Sequence, residues 1–284
     1  MKPVHSSHKL DNVCYDIRGP IAAQARKMED EGHRILKLNI GNPAPFGFDA
    51  PDDILKDVIH NLPTSQGYSD STGIYAARVA VMQYYQQMNI RNIQVDDVFI
   101  GNGVSEMIMI AMQALLNMGD EVLLPSPDYP LWTAAVSLSS GTPVHYRCDE
   151  QAGWFPDIDD IKSKITKKTK AIVLINPNNP TTELTSMDDL LALEEKLETH
   201  NSWLVIDEAF IDSFPSHYSR LSQPISNNTF VLRSLGKFFG LAGLRVGFAW
   251  CSKIWNNRLQ QHIGPWPVSG LSLKLAEKAL ADTR

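Results

Sequence analysis

Lys237 stands in the segment RSLGKFFGLAGLRVGF, with Ser234 three residues before it and Arg245 eight residues after it. A lysine amine kept deprotonated attacks an aldehyde and forms a Schiff base. An arginine fork and a serine hydroxyl are the groups that hold a phosphate dianion. Upstream, the apolar run WLVID ends in Asp207, which puts a carboxylate at the end of a buried strand. There it can pair with a cationic group of a ligand. Further upstream, FIGNGVSEMIMIAMQALL passes from Phe99 and Ile100 through Gly101, Asn102 and Gly103 into an apolar helix. The first amides of that helix, on Gly103, Val104 and Ser105, would face an anion. Taken singly, each feature has an ordinary explanation. A lysine in a Gly-rich loop is usually solvated, GNG is a strand-to-helix turn, and the run from Met107 to Leu116 is core packing.

The elements that must position these residues alternate along the chain. Strand-like DVFI, EVLL, PVHYR, AIVLI, WLVID and TFVLRS are separated by helix-like segments, among them MDDLLALEEKLETH and IDDIKSKI. ILKLNI near residue 38 also reads as a strand, and GIYAARVAVMQYYQQM as a helix after Gly73. Short apolar β-rich runs between amphipathic helices imply an α/β fold, with a mostly parallel central sheet flanked by helices. Such sheets bind ligands in the loops at their strand ends, where all the candidates above fall. Ile21, Ala25 and Met28 mark an amphipathic helix near the start. No internal repeat or low-complexity tract interrupts the pattern.

Composition narrows the partners. The 284 residues carry a net charge of −6 with a pI near 5.7, which argues against nucleic acid. Any positive potential for an anionic ligand must be local. Cys14, Cys148 and Cys251 are scattered and odd in number, as expected of free thiols in a reducing compartment. The histidines form no metal-ligand pair, and His5 and His8 fall in an N-terminal arm. No apolar segment has the length to cross a bilayer, and no leader pattern follows Met1. A cytoplasmic protein with no metal and no membrane partner is expected.

Taken together and in this order, these motifs resemble the fold-type I family of pyridoxal-phosphate (PLP) enzymes, the class I/II aminotransferases. The resemblance implies that Lys237 carries PLP, Asp207 pairs with the pyridine nitrogen, and Ser234, Arg245 and the Gly103–Val104–Ser105 amides hold the phosphate. It assigns Tyr129, in PSPDYPLW, to stacking on the ring, and Asn179, in NPNNPT, to the cofactor's phenolic oxygen and to substrate. It assigns Gly41, in LNIGNPAPF, to a loop closing over substrate, and Tyr68, in QGYSDSTG, to the phosphate of a neighbouring subunit. A homodimer acting on a small amino acid and a 2-oxo acid follows from the same resemblance. So does a division into an N-terminal arm with a small-domain portion, residues 1–45, and a large PLP-binding domain, residues 46–284.

The sequence departs from that family in three places. Phe210 replaces a tyrosine that many members carry three residues after the aspartate. Thr182 replaces the glycine of NPTG, and a positive φ there would strain it. The chain also ends at ADTR, before the C-terminal small domain that carries the family's carboxylate-binding arginine, so the resemblance implies very low turnover for this chain; only turnover typical of intact aminotransferases would put that contact on Arg18 or Arg34. The part before NPNNPT resembles bacterial alanine (glutamate–pyruvate) aminotransferases. The part after it resembles the threonine-phosphate decarboxylases of cobalamin biosynthesis. The expectation is an alanine-type aminotransferase, with the decarboxylase, or a PLP-binding fragment with little turnover, as alternatives.

Overall fold

The computed structural model describes residues 5–11, 13, 19–91 and 93–282; Cys14 and Arg18 lie outside the described residues. In chain order the elements are α1 (Pro20–Asp30), α2 (Asp52–Asn61), α3 (Tyr75–Gln87), β1 (Val98–Gly101), α4 (Gly103–Leu115), β2 (Glu121–Ser126) and α5 (Leu131–Leu138). There follow β3 (Thr142–Asp149), β4 (Phe155–Pro156), α6 (Ile158–Lys164), β5 (Thr169–Ile175), α7 (Met187–Thr199), β6 (Trp203–Asp207) and β7 (Thr229–Ser234). The chain closes with β8 (Gly247–Trp250), α8 (Lys253–His262) and α9 (Gly270–Ala281).

The strands form one sheet in the order β1-β8-β7-β6-β5-β2-β3-β4. β3, β2, β5, β6 and β7 run parallel to one another. β8 runs antiparallel to both β7 and β1, and β4 antiparallel to β3. The mostly parallel sheet expected from the sequence is therefore present, with β8 inserted in the opposite sense.

Alternation along the strands splits the core in two. Leu204 and Ile206 of β6 and Val231 of β7 face α3, α7 and α9, where they meet Ala77, Tyr85, Leu190 and Leu273. Trp203 and Val205 of β6 and Phe230 and Leu232 of β7 face α4, α5 and α8, where they meet Met107, Trp132 and Leu259. The continuous apolar reading of WLVID follows from this burial on both faces. The Met-rich α4 is core, as its composition suggests: Met107 and Met112 are fully buried.

ILKLNI departs from expectation. Residues 33–38 take no regular secondary structure, and Leu36 and Leu38 are exposed. A strand needs a neighbour to satisfy its backbone, and no strand of the sheet pairs with this segment. α1 does form, but none of its residues is buried, and Ile21 is 83% exposed. Its expected apolar stripe is therefore on the surface.

Candidate active site

The sheet delivers its functional residues to one edge. β1, β2, β5, β6 and β7 all point their C-terminal ends that way, so Asp207 ends a strand there and Gly103, Tyr129, Asn179 and Lys237 follow strands that stop there. β8 runs the other way, so Arg245, just before it, arrives at the same edge. Together they line a cavity of about 520 Å³.

Of the residues proposed from sequence, Gly41, Gly103, Val104, Ser105, Tyr129, Asn179, Asp207, Ser234, Lys237 and Arg245 all line this cavity. Tyr68 does not. It is 81% exposed and stacks on Trp266 with ring centroids 4.1 Å apart. Arg34 is exposed and is not in the cavity wall. Asp128 and Ala209 line the cavity without having been singled out, and so does Phe210, noted in the sequence only as a departure. Their adjacency to Tyr129 and Asp207 was the only available signal.

The anion end of the site is built from close packing. Gly103 opens α4 with φ +75°, and a Cβ there would lie 2.6 Å from Arg245 Nη2. A Cβ on Gly247 would lie 2.5 Å from the Val104 amide nitrogen. Two glycines thus let the start of β8 and the Arg245 guanidinium press against the amide end of α4. The first amides of a helix have no intrahelical acceptor, and here they meet a cation and a cavity. Arg245 donates weakly to the Asn102 and Ala242 carbonyls, each at 3.4 Å, and keeps donor capacity for an anion. Ser234, buried at the end of β7, accepts from the Gly236 amide at 2.9 Å, which shapes the turn into Lys237.

The chemistry end holds one buried acid and one poised amine. Burial pushes the Asp207 carboxyl up to about 6, while the Ala209 amide and Lys237 pull it back down. The Ala209 amide donates to Asp207 Oδ1 at 3.0 Å. A cationic ligand at this carboxylate would favour its charged form. Lys237 titrates below the ordinary lysine range, chiefly from burial and further from Arg245, while Asp207 opposes the shift. Its Nζ lies 5.3 Å from the Phe210 ring centroid. A Cβ on Gly41 would come within 3.7 Å of the same Nζ, so the LNIGNP loop passes directly over the amine.

The NPNNPT turn is tied to the same strand end. The Asn176 amide donates to the Asp207 carbonyl at 2.8 Å, and the Thr185 amide to Asn176 Oδ1 at 2.9 Å. Thr182 has φ +72°, so this position does demand the left-handed conformation that glycine would adopt freely.

The model of the aminotransferase class I and II family matches residues 33–284. The chain belongs to the aminotransferase class I and II family. Among this family, the glutamate-pyruvate aminotransferase AlaA of Escherichia coli K12 is 55% identical over 251 residues, covering 87% of this chain and 62% of the relative. An alanine aminotransferase of Mycobacterium tuberculosis H37Rv is 51% identical over 246 residues, covering 85% of this chain and 57% of the relative. The chain thus spans about 62% of the length of the first of these aminotransferases. A solved aminotransferase from Escherichia coli superposes with a TM-score of 0.86 at 48% identity, covering 99% of this chain and 72% of that one. Among the described residues, no helix is long and apolar enough to cross a membrane.

Proposed function

We propose that this chain binds pyridoxal 5′-phosphate at Lys237 and serves an alanine-type aminotransferase, moving an amino group between L-alanine, or a similar L-amino acid, and a 2-oxo acid. The observation that carries the reading is the convergence of four groups on one cavity. These are an amine of lowered proton affinity, a buried carboxylate, a guanidinium and the amide end of a helix. The Gly103 cradle, which a Cβ would fill, suits a phosphate held between Arg245 and α4. Asp207, unusually protonatable when alone, suits a cationic ring nitrogen that would share its proton.

When bound, PLP supplies an aldehyde for amine exchange and a ring that withdraws electrons from the substrate α-carbon. The chain's own residues set the rest. Burial and Arg245 favour the free amine of Lys237, the form able to attack a carbonyl or to accept a proton from carbon. Asp207 would hold a proton on the ring nitrogen. Tyr129 would cover one face of the ring, Asn179 would donate to its phenolic oxygen, and the Gly41 loop would exclude water. Ser234, Arg245 and the Gly103, Val104 and Ser105 amides would anchor the phosphate.

We read residues 46–284 as the large cofactor domain and residues 1–45 as an arm that includes part of a small domain. Tyr68, exposed and stacked on Trp266, suits a contact to the cofactor of a second copy in a homodimer. The identity to glutamate–pyruvate and alanine aminotransferases favours transamination over decarboxylation.

The test has two parts. Borohydride should trap PLP on Lys237, found by peptide mapping; label elsewhere, or none at saturating PLP, rejects the site. Incubation with L-alanine and 2-oxoglutarate should yield pyruvate and glutamate. Carbon dioxide from threonine phosphate instead would establish the decarboxylase.

A further inference from the structure

Successive residues of a strand face opposite sides of a sheet. At the end of β6, Asp207 lines the cavity, and the next residue, Glu208, is fully buried on the other face. β7 repeats the arrangement, with Ser234 in the cavity wall and Arg233, one residue earlier, buried behind it. The Arg233 guanidinium joins Glu208 through Nε and Asp212 through Nη1, each at 3.0 Å. Its Nη2 donates to Ser219 Oγ at 2.7 Å, and its Cζ lies 4.7 Å from the Tyr85 ring centroid. Glu208 also accepts from the Ser219 hydroxyl at 2.8 Å and the Arg220 amide at 2.7 Å. The Tyr85 hydroxyl donates to Asp212 Oδ1 at 3.3 Å. Asp212 belongs to the turn that follows Phe210, the ring beside Lys237.

One buried cation therefore ties together three backbone segments, and each of them carries a cavity residue: Asp207, Ser234 or Phe210. Stability alone is a weak reason for such a cluster, because apolar side chains of equal volume often serve as well. We propose that the Glu208–Arg233–Asp212 cluster is a positioning device for the active site, clamping these segments from behind the sheet and fixing the electrostatic potential at the cavity. The inference rests on the PLP reading above.

Among the described residues, charged and titratable groups stand on both sides of it. On the cavity side stand Asp207, Lys237, Arg245 and Asp128. Behind the sheet stand Glu208, Arg233 and Asp212, with Tyr84 and Tyr85 from α3. Arg220 is taken up by Glu194 of α7. The cluster as built holds two carboxylates against one guanidinium. Removing one carboxylate makes the potential at Lys237 more positive, so its nitrogen releases a proton at lower pH. A unit charge about 10 Å away, at an effective dielectric constant of about 20, shifts a titration by on the order of one pH unit.

The experiment follows the pH midpoint of the visible chromophore that PLP forms with Lys237 in the full chain. Glu208→Gln and Asp212→Asn preserve shape and should each lower that midpoint, by up to about one unit. Arg233→Lys keeps the charge but loses the fork. It should hold the midpoint near the parent while PLP affinity falls roughly ten-fold, the size of one charge-assisted contact. A purely structural cluster would give midpoints that track lost thermal stability, with Arg233→Lys moving as far as Glu208→Gln, and that result overturns the proposal. Unmoved midpoints in Glu208→Gln and Asp212→Asn overturn it also, and these two variants decide the matter if Arg233→Lys fails to fold. A parent chain that forms no chromophore rejects the PLP reading itself, and this inference with it.

Discussion

Gly103 and Arg245 approach each other so closely that a single added methyl on Gly103 would lie 2.6 Å from the Arg245 Nη2 atom. The relationship links the start of α4 to the residue before β8. It makes the conformation of Arg245 depend on the absence of a side chain far away in sequence.

Gly103→Ala should therefore push the guanidinium out of the cavity. Because the displaced atoms are the end of a flexible side chain, the loss should appear mainly in PLP affinity, roughly ten-fold or more, with added backbone strain from φ +75°. Gly247→Ala should behave differently, since its Cβ would meet backbone, the Val104 nitrogen, at 2.5 Å. There the cost should fall on the fold, about 1–3 kcal/mol as for overpacking. PLP titration and urea unfolding of both variants separate the two effects. Equal PLP affinity in Gly103→Ala and parent would contradict the cradle.

Arg245→Ala should weaken PLP binding by roughly ten- to a hundred-fold, the range for losing a charged hydrogen-bonding partner of a phosphate. Pyridoxal without its phosphate should bind parent and variant alike. If the variant discriminated between the two aldehydes as well as the parent does, the phosphate would have to be held elsewhere.

Asp207 predicts a pH dependence in the cofactor-free chain. Its folded carboxyl is raised from an ordinary 3.8 to about 6. A carboxyl raised on folding stabilises the fold below its unfolded value, and that contribution is lost as pH rises through the folded value. Asp207→Asn should therefore be more stable than the parent above about pH 6, and the difference should vanish below about pH 4. The gap should reach on the order of 3 kcal/mol, from ~1.4 kcal/mol per pH unit. Chemical unfolding at several pH values checks this, and a gap independent of pH would refute the burial argument. Saturating PLP should reverse the order, because its ring nitrogen then pairs with the charged carboxylate.

Thr182 predicts a stabilising substitution. It holds φ +72° in the NPNNPT turn, a conformation that costs a β-branched residue about 1–3 kcal/mol. Thr182→Gly removes that strain but gives back some chain entropy, so a net gain of about 1 kcal/mol is expected. A thermal melt with no gain, or with a loss, would mean that the threonine side chain compensates locally.

The α/β class was legible because AIVLI, WLVID and TFVLRS are short apolar runs set between amphipathic helices, and burial on both faces makes such runs unbroken. The residues that line the cavity were legible because they sit in short motifs next to those runs, at strand ends where local chemistry shows through. ILKLNI misled for the same reason. Local pattern marks a β-capable segment, but only a neighbouring strand makes it one. Tyr68 could be named from its motif but not placed, since its stack on Trp266 joins distant segments. The antiparallel sense of β8, which brings Arg245 to the edge where Lys237 lies, is a property of strand pairing and leaves no mark in composition or period. The Glu208–Arg233–Asp212 cluster was equally hidden. Its members are ordinary charged residues in sequence, and they become a buried unit only when two strands and a turn close around one guanidinium. Sequence alone determined which residue types were available at each strand end. The tertiary structure decided which of them share a dielectric environment, and hence which carboxyl is raised and which amine is poised.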